Sequence, residues 1–134
     1  MGKFKVLSNG IKIPSIGFGT YKSGDNNETA EIVKYALECG YRQIDTASFY
    51  GNEVGIGNAI KESKVKREDI FLVTKLWNDD HGYDKTIEAF NNSLKRLQVE
   101  YLDLYLIHWP NKLNAETWRA FEDLYKAGKV KAIG

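Results

Sequence analysis

The sequence has one cysteine, two histidines and two prolines among its 134 residues, and almost no excess of either charge. Cys39 alone cannot close an internal disulfide, so the fold rests on packing and suits a reducing compartment. It follows a helical pattern beside Gly40 and reads as an inert thiol. His81 and His108 are the only histidines, and neither His-x-His nor Cys-x-x-Cys spacing occurs, which argues against a metallohydrolase. No nucleophile elbow and no phosphate-cradling Gly-Lys-Ser/Thr loop is present. Nineteen Lys and Arg interleave with eighteen Asp and Glu, leaving no basic stripe for nucleic acid and no cationic face for an anionic membrane. Apolar runs such as 102–107 fall far short of the roughly 20 residues a spanning helix needs. The stretch Met1-Gly2-Lys3-Phe4-Lys5 lacks an apolar leader core, so the cytoplasm is the expected place of action. Matches to Asn-x-Ser/Thr at Asn27 and Asn91 carry no weight without a secretory signal.

What is present is the make-up of one globular domain over residues 1–134, with 43% hydrophobic and 28% charged content. Short apolar runs at 3–6 and 11–13 flank Ser8-Asn9-Gly10, a hairpin signal because Asn and Gly tolerate φ > 0. After Pro14 a regular alternation begins. Strand 16–19 precedes helix 28–39, whose apolar Ile32, Val33, Ala36 and Leu37 share a face before Gly40 closes it. Strand 43–45 precedes helix 52–61, strand 70–74 precedes helix 84–97, strand 102–107 precedes helix 115–127, and another strand begins at Lys129. Strands alternating with helices imply parallel pairing through right-handed crossovers, hence an α/β fold. Gly17-Phe18-Gly19 and Gly55-Ile56-Gly57 both lack the third glycine of a dinucleotide fingerprint, and the second pair falls within a helix, where packing explains it. A closed barrel fits the rhythm, and barrels place their chemistry just beyond the C-terminal ends of the strands.

Those ends carry Thr20 and Tyr21, then Asp45 and Tyr50, then Lys75 and Trp77, then His108 and Trp109. Each has an ordinary structural explanation taken singly: a turn hydrogen bond for Asp45, a loop aromatic for Tyr50, a strand exit into water for Lys75, a satisfied core histidine for His108. Together, four such groups after three successive strands face one space. They suit a carbonyl substrate. The Tyr50 hydroxyl can protonate a developing alkoxide, Lys75 eases loss of that proton, Asp45 keeps the ammonium charged and oriented, and His108 fixes the carbonyl oxygen. Donors aimed at such an oxygen are worth about 3–4 kcal/mol each.

Three stretches then resemble the aldo-keto reductases: Asp45-Thr46-Ala47-Ser48-Phe49-Tyr50-Gly51-Asn52-Glu53, Val73-Thr74-Lys75-Leu76-Trp77, and Leu94 through Tyr101-Leu102-Asp103-Leu104 to His108-Trp109-Pro110. The resemblance runs from the hairpin to Gly134. It implies a (β/α)8 TIM barrel whose floor is plugged by the hairpin, with hydride passing from NADPH or NADH to an aldehyde or ketone. It implies Asp45, Tyr50, Lys75 and His108 as a catalytic tetrad, Gly19, Thr20, Tyr21 and Asp45 near the nicotinamide, and Tyr21, Phe49, Trp77, His108 and Trp109 about the substrate. Core packing is the other reading of the aromatics.

A full barrel takes eight strand–helix units and about 250 residues, whereas the sequence supplies four units after the hairpin. In the family the other half provides most cofactor contacts. The expectation is therefore a truncated half-barrel fragment that binds NAD(P)H weakly or not at all, has little or no activity alone, and self-associates through its open edges. The competing expectation is a non-catalytic half-barrel, homodimeric, that serves as an assembly or binding module.

Overall fold

The computed structural model describes residues 3–134; Met1 and Gly2, the start of the segment without an apolar leader core, lie outside the described residues. A hairpin of β1 (Phe4–Val6) and β2 (Lys12–Pro14) opens the chain, with Phe4 opposite Pro14 and Val6 opposite Lys12. Gly10 takes the left-handed φ of 85° that the turn requires. Asn9 does not. Its side-chain amide donates instead to Lys131 O at 2.9 Å, fastening the hairpin to the start of the last strand.

The remaining strands are β3 (Phe18–Gly19), β4 (Gln43–Asp45), β5 (Phe71–Leu76), β6 (Leu102–Ile107) and β7 (Val130–Ile133). They form one parallel sheet in the order β3-β4-β5-β6-β7. Helices α1 (Asn26–Glu38), α2 (Glu53–Glu62), α3 (Tyr83–Leu97) and α4 (Asn114–Lys126) provide the crossovers, each packing against the next. A doubly wound sheet reverses its strand order at the switch point. Strictly sequential order with helices side by side is instead the wall of a barrel, here four strand–helix units and a fifth strand. The core lies between sheet and helices: Val33, Leu37, Ile56 and Phe90 pack on Ile44, Leu72 and Leu102, and Tyr105 stacks on Phe121 at 4.6 Å.

Boundaries differ from the sequence reading for local reasons. Helix α1 starts two residues early because Asp25 caps it: its carboxylate accepts from the Asn27 and Glu28 amides at 2.9 Å, and Glu28 returns a bond to the Asp25 amide at 3.0 Å. This Asp-x-x-Glu capping box stands in the sequence. Strand β5 continues two residues beyond 74 because Lys75 and Leu76 pair with Leu106 and Ile107. Lys75 therefore sits within the strand, not after it. Ile16, placed in a strand by its apolar neighbours, precedes β3 and is 74% exposed. Ile32, assigned to the buried face of α1, is 39% exposed, and Val33, Ala36 and Leu37 carry that face.

The glycines of Gly55-Ile56-Gly57 serve helix packing. A Cβ on Gly55 would meet the backbone of Asn26 at the start of α1, and one on Gly57 would lie 2.7 Å from Arg96 O and Leu97 O at the end of α3. Backbone cannot step aside as a flexible side chain does. Alanine in a helix ordinarily gains about 1 kcal/mol over glycine, but overpacking costs about 1–3 kcal/mol. Gly57→Ala is thus expected to lower the thermal unfolding midpoint; a rise would show that α2 and α3 can separate freely.

Candidate active site

The C-terminal ends of β3 to β6 converge on one rim, opposite the hairpin. Asp45 ends β4, and the chain then runs through Thr46 and Ala47 into a single 3-10 turn, Ser48–Tyr50. Gly51, at φ 71°, reverses the chain into α2. The Ser48 hydroxyl donates to Lys75 O at 3.1 Å, tying this turn to the end of β5.

Lys75 lies at the centre. Its Nζ donates to Asp45 Oδ2 at 2.8 Å and to Thr46 O at 2.9 Å, and lies 3.4 Å from the Tyr50 hydroxyl. The lysine side chain is mostly buried, whereas the Asp45 carboxylate is one-third exposed. The ordinary explanations for both residues therefore fail: Asp45 pairs with an ammonium instead of its own turn, and Lys75 does not run into water. His108 follows β6 and sets its ring nearly perpendicular to Tyr50, 5.8 Å away, and to Trp77, 5.2 Å away. Its Nδ1 is buried without a hydrogen-bond partner, so it is not the satisfied core histidine of the ordinary reading. The structure thus brings Asp45, Tyr50, Lys75 and His108 together.

Burial first, and then the Lys75 charge, hold the His108 imidazole below its ordinary pKa of 6.5, with Asp45 acting weakly the other way. A neutral ring is consistent with the partnerless Nδ1, since imidazolium would carry an N–H there. As pH falls through 6.5 the unfolded chain takes up the proton before the folded one, so this contribution to stability is full above that pH and lost below it. Thermal midpoints are therefore expected to decline between about pH 7 and 5, and to decline less in His108→Gln. Identical slopes would contradict a depressed His108.

Aromatic residues surround the cluster. Phe49 stacks on Trp77 at 3.8 Å, and His108 sets its edge against both. Tyr21 tilts against Tyr50 at 5.0 Å and remains 58% exposed. Trp109 lies parallel to His108 at 6.1 Å and is 59% exposed, which excludes core packing for it in this structure. Its carbonyl is hydrogen-bonded to His81 Nε2 at 3.1 Å, and His81 Nδ1 to Thr117 at 3.0 Å, so His81 is buried and structural. Gly19 opens onto free space, where an added Cβ would meet nothing. Thr20 is fully buried, with both its amide and its hydroxyl donating to Asp45 O at 3.0 Å.

Sequence reasoning missed Thr46, whose carbonyl holds Lys75, and the buried pair Asn52 and Glu53. Glu53 Oε2 accepts from Thr74 at 2.8 Å, while Oε1 accepts from Arg96 Nε at 2.9 Å and Ser93 at 3.3 Å. Their signal was two polar residues at the start of a helix, which is indistinguishable from ordinary capping. Among the described residues no cluster of His, Cys, Asp or Glu could hold a metal ion, and no helix is long and apolar enough to cross a membrane.

The model of the aldo/keto reductase family matches residues 15–134. Glyoxal reductase of Bacillus subtilis (strain 168) is 55% identical over 129 residues, covering 96% of this chain and 47% of that protein. An aldo/keto reductase crystal structure from Brucella melitensis superposes with a TM-score of 0.96 at 51% identity, covering 100% of this chain and 53% of that one. A Bombyx mori aldo-keto reductase in complex with NADP gives 0.93 at 37% identity, covering 99% and 50%. The chain thus spans about half the length of the curated relatives it matches. The matched span takes in the whole parallel sheet and all four polar groups on its rim, and the chain belongs to the aldo/keto reductase family.

Proposed function

We propose that these residues are the proton-handling site of a cytoplasmic, NADPH-dependent reductase, with NADH as the other donor, that converts aldehydes or ketones to alcohols. The observation that carries this reading is the Lys75 ammonium, bonded to Asp45 at 2.8 Å and placed 3.4 Å from the Tyr50 hydroxyl. A phenol backed by a cation is a proton donor whose conjugate base is stabilised on the spot. When bound, the nicotinamide supplies a hydride from C4 to the carbonyl carbon.

Tyr50 gives its proton to the oxygen as charge develops there, and the O–H bond of the alcohol replaces that of the phenol. Lys75 balances the phenolate until solvent returns a proton. Asp45 holds the ammonium in place. Neutral His108 donates one hydrogen bond to the carbonyl oxygen and orients it. Tyr21, Phe49, Trp77 and Trp109 supply aromatic walls for an apolar approach to it.

The residues present fit the reacting end of a nicotinamide cofactor. Gly19 leaves open space at the rim, Thr20 is locked beneath it, Tyr21 offers an exposed ring, and Asp45 presents a part-exposed carboxylate. The 134 residues supply the first half of the barrel and hold NADPH weakly or not at all by themselves. Because Trp77 and Trp109 lie at the rim, their fluorescence reports on the cofactor. A full-length protein is expected to show saturable quenching by NADPH and carbonyl-dependent loss of NADPH absorbance, and the 134-residue chain much weaker quenching. Absence of both signals in the full-length protein would contradict the assignment. The name of the Bacillus relative makes glyoxal and related 2-oxoaldehydes the first substrates to try.

The sheet edges favour a second reading for the 134 residues alone. Among the described residues β3 pairs only with β4 and β7 only with β6, leaving two sheet edges without a further strand partner. A non-catalytic half-barrel would pair these edges with a second copy. Light scattering is expected to give a dimer mass under that reading. A monomer with cooperative unfolding, or a larger aggregate, counts against it.

A further inference from the structure

Asn52 stands at the N-cap of α2, where an asparagine side chain ordinarily accepts from the first helical turn, yet it makes no capping bond. The residue is 1% exposed, and its amide is spent elsewhere. Nδ2 donates to Thr20 O at 2.8 Å and to Ser23 Oγ at 3.2 Å, while Oδ1 accepts from Thr46 Oγ1 at 3.0 Å. The amide orientation is fixed, because the Thr20 carbonyl can only accept.

The partners lie next to the reacting groups. Thr20 precedes Tyr21, and its amide and hydroxyl both donate to Asp45 O. Thr46 follows Asp45, and its carbonyl receives one of the Lys75 hydrogen bonds. One buried amide therefore joins the β3 loop to the β4 loop where the acceptors of the Lys75 ammonium are set. Gly51, in the left-handed region, makes this possible by leaving Tyr50 at the rim while Asn52 turns inward. The following residue braces β5, since Glu53 holds Thr74, the neighbour of Lys75.

We propose that Asn52 is a positioning residue: by clamping Thr20, Ser23 and Thr46 it fixes the Asp45 carboxylate and Thr46 carbonyl that hold Lys75 beside Tyr50. Its meaning for catalysis rests on the reductase reading, but its geometric content does not. Without the clamp, Thr46 O and Asp45 can drift, and the ammonium is then shared with water. The fold survives, because the sheet register and helix packing do not pass through Asn52.

The test is NMR of the lysine ammonium groups in the full chain, with the Lys75 15Nζ signal assigned by its loss in Lys75→Arg. In the wild type the Lys75 protons are expected to exchange slowly with water, being bonded to Asp45 and Thr46. Asn52→Ala is expected to speed that exchange at least tenfold. In the reductase assay it should lower kcat tenfold or more, with KM for the carbonyl changed less than threefold. Leu124→Ala, distant from the rim, controls for general destabilisation and should leave Lys75 exchange unchanged. If Asn52→Ala does not fold, Thr46→Val removes one arm of the clamp in a similar shape and should speed exchange in the same direction. Unaltered Lys75 exchange in a folded Asn52→Ala, or equal acceleration in Leu124→Ala, overturns the proposal. Because the NMR result does not depend on turnover, failure of the reductase reading, seen as no NADPH binding and no carbonyl-dependent loss of NADPH absorbance in the unsubstituted protein, is distinguishable from failure of this one.

Discussion

In a protein that carries the whole barrel, Tyr50→Phe is expected to lower kcat for carbonyl reduction by about 10²–10⁴-fold, equivalent to roughly 3–5 kcal/mol of transition-state stabilisation. The ring should keep its place, because it is held by packing against Tyr21 at 5.0 Å and His108 at 5.8 Å. Among the described residues the hydroxyl has one hydrogen-bond contact, with Lys75 at 3.4 Å, and Lys75 retains Asp45 and Thr46 when it goes. Folding should therefore be unaffected and NADPH affinity nearly unchanged, since the lost proton acts on the substrate oxygen. Steady-state kinetics with a parallel fluorescence titration separates the two effects. Retained turnover, or an equal loss of cofactor binding, would show that Tyr50 is not the acid.

Glu53→Ala should give the largest loss of stability. Its carboxylate is 1% exposed and is held by Thr74, Ser93 and Arg96, the last through both Nε and a terminal guanidinium nitrogen at 2.8 Å. Truncation strands three donor side chains around a cavity where α2, α3 and β5 meet. Arg96 is 40% exposed and can turn to water, but the Thr74 and Ser93 hydroxyls stay buried, and leaving them unpaired costs about 2–5 kcal/mol, which for a domain of this size lowers the unfolding midpoint by roughly 10–15 °C. Lys34 is the contrast. It bridges Glu31 and Glu62 at 2.8 and 3.2 Å, but all three are solvated, so Lys34→Ala should leave the unfolding midpoint nearly unchanged. Thermal unfolding followed by circular dichroism compares the two, and equal small losses would contradict the role given to Glu53.

Much of this architecture is written locally. Strands β4 and β6 have the bounds read from their apolar runs, and α3 departs by one residue, because period and length are properties of consecutive residues. That Asp45, Tyr50, Lys75 and His108 come together was also legible, since a barrel carries whatever ends or follows its strands to one rim. The misreadings required distant partners. Lys75 belongs to β5 only because Leu106 lies opposite it, and Ile16 is exposed because no strand pairs with it among the described residues. Asn52 stands in the sequence at the start of helix 52–61, and only the approach of Thr20 and Thr46 shows where its amide goes. The capping box at Asp25 and Glu28 is different, for it was present in the sequence and was passed over.

The most direct test of the central claim is isotope transfer by the full-length protein from NADPH bearing deuterium at both C4 positions to glyoxal or a related 2-oxoaldehyde, read by mass spectrometry of the alcohol. One deuterium on the new carbinol carbon, with product formation largely lost in Tyr50→Phe, is the predicted result. An alcohol free of deuterium, or a labelled alcohol formed equally fast by Tyr50→Phe, would contradict the assignment of this rim as a carbonyl-reducing site.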